Sequence, residues 1–182
     1  MSLTDPLFFD NDCLSAFLWV NYESILVKLY PGRIVIPHQV YTELSNPSVN
    51  RVKGLKAQVN TLVMSSQATV VSIIVGSPVY DLYFKLTQNP DPGHNRIGDG
   101  EAAAIALAKE QGGILASNNL RDISNYVREF GLKHVTTGAI MKEAMAAGLI
   151  TEALGNAIWQ NMLNKKRRLG YQSFSDYLKY NP

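Results

Sequence analysis

Five short apolar runs recur along the chain: PLFFD (6–10), RIVIP (33–37), ATVVSI (68–73), GILAS (113–117) and HVTT (134–137). Several are β-branched and all are bounded by turn or polar residues, the pattern of strands buried between helices. Between them the spacing turns helical, over 12–30 with a break near Asn21, then 37–45, 51–67, 77–87, 99–111 and 120–130; two more helices, 138–147 and 151–166, follow the last run. Strands joined by helical crossovers pair in parallel. The expected fold class is therefore α/β, a three-layer α/β/α arrangement around a central parallel five-stranded sheet. The 182 residues suit one domain, 1–182, able to bury roughly 70% of its unfolded surface. The segment TQNPDPGHNR (87–96), with two prolines and a glycine, is the clearest loop and is expected as a mobile flap beside the site.

Composition removes several classes of function. A chain that is 46% hydrophobic and 18% charged is neither disordered nor collagen-like. No apolar run approaches the roughly 20 residues of a membrane span, and no basic segment followed by an apolar core opens the chain, so a cytoplasmic location without membrane contact is expected. The single cysteine, Cys13, excludes an intrachain disulfide and any Cys-rich metal site. His38, His94 and His134 are scattered, with no Ser-His-Asp or Cys-His pattern, so hydrolysis through a nucleophilic side chain is not expected. Net charge is +2, from 17 basic and 15 acidic residues, which nearly cancel and leave partners undefined.

In an open parallel sheet, ligands bind beyond the carboxyl ends of the strands. Asp10 closes the first run, with Asn11 and Asp12 next; an Asp at such a junction is equally a helix N-cap. Glu43 lies on the helix that follows Pro37 and borders its apolar face, although a lone helix glutamate is usually a solvated charge. In IGDGEAAAIALA, Asp99 is read as an N-cap and Glu101 falls in the first turn, ahead of a small apolar surface suited to close packing on the sheet. GILAS then delivers Ser117, Asn118 and Asn119 to the same edge, with Asp122 one turn further on. Acidic and amide groups would converge there from three elements.

This order resembles the PIN-domain family of metal-dependent nucleases, VapC-like ribonucleases included, over most of the chain. The resemblance rests on FFDND with Asp10, IPHQVYTEL with Glu43, GEAAAIALA with Glu101, ILASNN, and TTGAIMKEAMAAGLI (136–150) after the last strand. It implies that Asp10, Glu43 and Glu101 are catalytic metal ligands. In ILASNN, Ser117 stands for the family's threonine, while Asn118 and Asn119 stand where many members carry acids. Asn119 is then a catalytic position without charge, and Asp122 either supplies the missing charge as a fourth ligand or is an ordinary helix-surface residue. Asn11, Asp12, Asp99, Ser117 and Asn118 are expected to support these groups. An all-oxygen set suits Mg²⁺ or Mn²⁺ rather than zinc.

The implied activity is divalent-metal-dependent hydrolysis of RNA phosphodiester bonds, with a toxin role in a toxin–antitoxin pair. RNA, an antitoxin protein and a second copy of the chain are the implied partners. The competing reading is a PIN-fold RNA- or protein-binding module whose catalysis is weakened by Asn118 and Asn119. A doubly wound nucleotide-binding protein fits the fold but lacks a Gly-x-Gly-x-x-Gly turn after the first strand. The tail NKKRRLGYQSFSDYLKY (164–180) sets four consecutive cations before Tyr171, Phe174 and Tyr177. Residues 165–182 read either as an RNA-contacting extension or, preferably, as a helix end and an aromatic stripe docked on the body.

Overall fold

The computed structural model describes residues 4–46 and 55–181. Five strands, β1 (Leu7–Phe9), β2 (Ile34–Pro37), β3 (Ala68–Val71), β4 (Ile114–Ala116) and β5 (Lys133–Val135), pair in parallel in the order β3-β2-β1-β4-β5. From β1 the chain first winds outward through β2 to β3, then returns to the other side of β1 for β4 and β5. The switch in direction falls between β1 and β4, where a ligand crevice opens in such sheets.

Strand side chains alternate between two cores, as a period of two requires. Leu7, Phe9, Ile34, Ile36, Ile114 and Ala116 face one side, covered by α1 (Asn11–Leu18), α2 (Ser24–Leu29), α3 (His38–Ser45), α4 (Leu55–Met64), α8 (Thr137–Ala146) and α9 (Glu152–Asn164). Phe8 and Leu115 face the other, covered by α5 (Pro78–Gln88), α6 (Asp99–Gln111) and α7 (Leu120–Glu129). This is the three-layer α/β/α arrangement. Burying Phe8 completely contributes about 1.5–3 kcal/mol.

Local chemistry sets the joints. Asn21, with φ 57°, adopts the left-handed conformation that separates α1 from α2. Helix α6 is buried at every position from Ala102 to Ala108, because its alanines let the backbone lie close to the sheet. A Cβ on Gly113, where β4 begins, would lie 2.4 Å from the Phe8 ring, so only glycine lets the strand pass there. Helix α10 (Phe174–Tyr180) follows α9; Phe174 is fully buried against Gly155 and Trp159, and Tyr177 packs over Gly138.

Several expected boundaries differ. Thr136 and Thr137 do not extend the last strand: the Thr136 hydroxyl accepts from the Ala139 amide at 3.2 Å and caps α8, which begins at Thr137. Ser72 and Ile73 lie beyond the end of β3. Residues 51–54 of the expected fourth helix lie outside the described residues. Segment 87–96 is anchored at several points. Arg96 Nε donates to the Thr87 carbonyl at 2.6 Å, Tyr126 Oη donates to the Asn95 carbonyl at 3.1 Å, and His94 lies 2.9 Å from Glu129. These contacts tie it to α5 and α7. Among the described residues no helix is long and apolar enough to cross a membrane.

Candidate functional site

The site grows from the end of β1. Asp10 is 1% exposed and serves both readings of its position: its Oδ1 accepts from the Cys13 amide at 2.7 Å, capping α1, and its Oδ2 accepts from the Ser117 hydroxyl at the end of β4. Burial pushes its pKa up to about 7, against the pull of the Ser117 and Cys13 donors, with Asp12 and Glu101 adding like-charge repulsion. Ser117 is itself fixed by its neighbours. Its amide donates to the Val135 carbonyl at 3.0 Å, and His134 Nε2 lies 2.9 Å from its carbonyl oxygen. Burial lowers the His134 pKa, opposed by the Ser117 carbonyl beside the ring.

Two glutamates arrive from helices. Asn11 Nδ2 donates to Glu43 Oε2 at 2.8 Å, and the Gly100 amide also donates to that carboxylate. A Cβ on Gly100 would stand 2.9 Å from Glu43 Oε1, so the glycine is what lets the carboxylate lie across the first turn of α6. Glu101 occupies the third position of α6 and accepts from the amide of Gly98, the residue that caps the helix, in the manner of one half of a capping box. Burial raises the pKa of both glutamates. Asp10, Asn11, Asp12, Glu43, Gly98, Gly100 and Glu101 line one cleft of about 210 Å³.

The asparagines behave differently from each other. Asn118 Nδ2 donates to Thr137 Oγ1 at 2.8 Å while its Oδ1 accepts from the Thr137 amide at 2.9 Å, fastening β4 to the first turn of α8. Asn119 Nδ2 donates to Glu101 Oε1 at 2.6 Å and to Asp122 Oδ2 at 2.8 Å. Asp122 thus joins the group through Asn119. Asp99 is the first residue of α6 rather than its cap, which is Gly98; its Oδ1 accepts from Tyr83 Oη at 3.0 Å and is directed toward α5. Asp12 lies at the cleft rim with Arg167 Nη1 3.8 Å away.

Among the described residues no three His, Cys, Asp or Glu side chains stand close enough, as positioned, to hold one metal ion directly. The donor set nevertheless fits Mg²⁺ or Mn²⁺. Mg²⁺ keeps several waters and takes one or two carboxylates, and the carboxylates of this cleft are hard oxygen donors, partly or fully buried.

A sequence model described as a PIN domain matches residues 7–180. The chain belongs to the PIN-domain family. PIN domains are generally nucleases, typically use divalent metals and commonly bind RNA, which places the cleft at the carboxyl edge in a nuclease-like fold. No curated protein and no solved structure gives a significant match. Three features of this site escaped the sequence reading. Gly100 acts through an approach of α3 to α6, Thr137 sat within an expected strand, and Tyr83 is 16 residues from its partner Asp99. Only Gly100 carried a signal, the glycine inside the acidic string GDGE.

Proposed function

We propose that this PIN domain is a divalent-metal-dependent ribonuclease in which Asp10, Glu43 and Glu101 hold Mg²⁺ or Mn²⁺, with Asp122 as an outer carboxylate. The observation that carries the reading is the meeting of these three acids on one cleft at the sheet's switch point. When bound, the ion supplies a water of lowered pKa and neutralises charge on the phosphate oxygens. In hydrolysis a water would form the new P–O bond and give up a proton to a carboxylate that does not hold the ion, while the P–O bond to the leaving ribose oxygen breaks and that oxygen takes a proton from solvent. Ser117 and the Cys13 amide fix the orientation of Asp10, and Asn11 fixes that of Glu43. Family membership supports a toxin role with an antitoxin partner.

A second reading, a PIN-fold binding module without catalysis, is favoured by one observation. The Asn119 amide already bridges Glu101 and Asp122, relieving without an ion some of the repulsion an ion would relieve. Incubation of the purified protein with end-labelled single-stranded RNA in EDTA, Mg²⁺ or Mn²⁺ separates the two. Cleavage in either metal and none in EDTA is expected; intact RNA at millimolar Mn²⁺ overturns the nuclease reading.

A further inference from the structure

A second concavity, of about 570 Å³, lies beside the acidic cleft where the end of β4, the start of α7, the first turn of α8 and segment 168–171 meet. The two are neighbours through shared chemistry: Asn119 and Asp122 line this groove, and Asn119 donates to Glu101 in the cleft. Its volume falls within the ~300–1,000 Å³ typical of small-ligand sites.

The groove has a built wall. Trp159 Nε1 donates to the Tyr171 carbonyl at 3.0 Å, Asn181 Nδ2 donates to Tyr171 Oη at 3.2 Å, and Lys142 Nζ donates to the Asn181 carbonyl at 2.8 Å. These bonds fasten the tail segment carrying Arg168 to α8 and α9. Arg121, from the first turn of α7, faces the same groove, and Leu120 beside it is 48% exposed. Both arginines are exposed. Among the described residues neither makes an ion pair or side-chain hydrogen bond, whereas the adjacent Arg167 is engaged with Ser15 and Asp12.

We infer that this groove is a nucleotide subsite: Arg121 and Arg168 take backbone phosphates of single-stranded RNA next to the cleaved bond, while Leu120 and Tyr171 offer apolar surface to a base. The inference rests on the ribonuclease reading for its polarity, since the strand must continue from the groove into the acidic cleft. An anionic chain with flat apolar groups matches two unpaired guanidiniums flanked by apolar side chains. An acidic peptide would satisfy the cations but has no use for the path into the carboxylates.

The test uses two double variants of equal charge change. Arg121→Ala/Arg168→Ala alters the groove. Lys28→Ala/Lys109→Ala alters exposed cations at the ends of α2 and α6, which precede β2 and β4 and so lie toward the opposite, amino edge of the sheet. Fluorescence anisotropy with a labelled single-stranded RNA in EDTA gives affinity and its salt dependence; Mn²⁺-driven cleavage gives KM and kcat. The groove variant is expected to bind roughly tenfold more weakly, with the slope of log affinity against log salt reduced by about 1.4, and to show its loss in KM. The lysine variant should change affinity less than about twofold. Equal behaviour of the two variants, or a loss confined to kcat, overturns the subsite. Arginine-dependent capture of a polyglutamate peptide with no such effect on RNA also overturns it, in favour of a protein partner. Wild-type protein that binds RNA through the arginines but cleaves none leaves the subsite standing and removes the nuclease reading. Cleavage without an arginine effect does the reverse.

Discussion

The two halves of the site at the carboxyl edge differ in how their polar groups are satisfied. On the side of β1, α3 and α6, three carboxylates are buried or half-buried and each holds its proton more tightly than usual, Asp10 up to about 7. On the side of β4, α7 and α8, amides do the work, and Asn118 has donor and acceptor both occupied by Thr137. The first half is electrostatically incomplete and the second is closed. On the proposed reading the carboxylate side carries the reaction, while the amide side holds the geometry.

The comparison breaks most readily at Asp10. Asp10→Asn keeps an acceptor for the Cys13 amide and a polar neighbour for Ser117 but removes the charge, so RNA cleavage should fall at least about a thousandfold, some 4 kcal/mol of barrier, with the fold retained. Single-turnover cleavage alongside circular dichroism checks both; metal-dependent cleavage at wild-type rate by the pure variant would remove Asp10 from the reaction.

Acid–base linkage gives the next effect. Because the folded pKa of Asp10 is raised, its contribution to stability is fully present below 3.8 and is lost as pH rises through about 7. Metal-free wild type should therefore lose stability relative to Asp10→Asn across that window, by on the order of 4 kcal/mol at 1.36 kcal/mol per pKa unit. Urea unfolding of both proteins at several pH values measures the difference, and Mn²⁺ above pH 7 should restore wild type. Parallel curves would mean that the carboxylate side carries no such penalty.

The closed half should respond in stability rather than in metal binding. Asn118→Ala leaves the Thr137 amide without its acceptor and the Thr137 hydroxyl with Cys13 Sγ alone, a loss of about 2 kcal/mol, with Mn²⁺ affinity nearly unchanged. A large loss of Mn²⁺ binding at unchanged stability would place Asn118 with the carboxylates instead.

Asn119 is the point where the halves meet, and it sharpens the contrast. Asn119→Asp adds a charge beside Glu101 and Asp122 and should tighten Mn²⁺ about tenfold, or about 1.4 kcal/mol, by calorimetry. If Asp122 already completes the site, the gain vanishes and Asp122→Asn weakens binding instead.

The sequence spoke clearly where periodicity or chain order was enough. The uniformly apolar LFF and IVI marked strands buried between helices, and the small residues of AAAIALA announced a helix pressed on the sheet. The placement of Asp10, Glu43 and Glu101 at one edge followed from their positions after successive parallel strands. Strand order was hidden, because it depends on which pairs of strands meet across long crossovers. So was the capping role of Thr136: a β-branched pair after His134-Val135 looks like more strand until the free amides of α8 claim the hydroxyl. The groove was least visible, since Arg121 and Arg168 are far apart in the chain and their neighbours in KKRR make a different set of contacts.

On the proposed reading one divalent cation completes the carboxylate half. Crystals soaked in Mn²⁺, measured for anomalous scattering, test it directly. A single strong peak is expected inside the cleft bounded by Asp10, Glu43 and Glu101, with waters filling the remaining coordination positions. A cleft free of anomalous signal at millimolar Mn²⁺, or a peak held only by groups elsewhere on the surface, would contradict it.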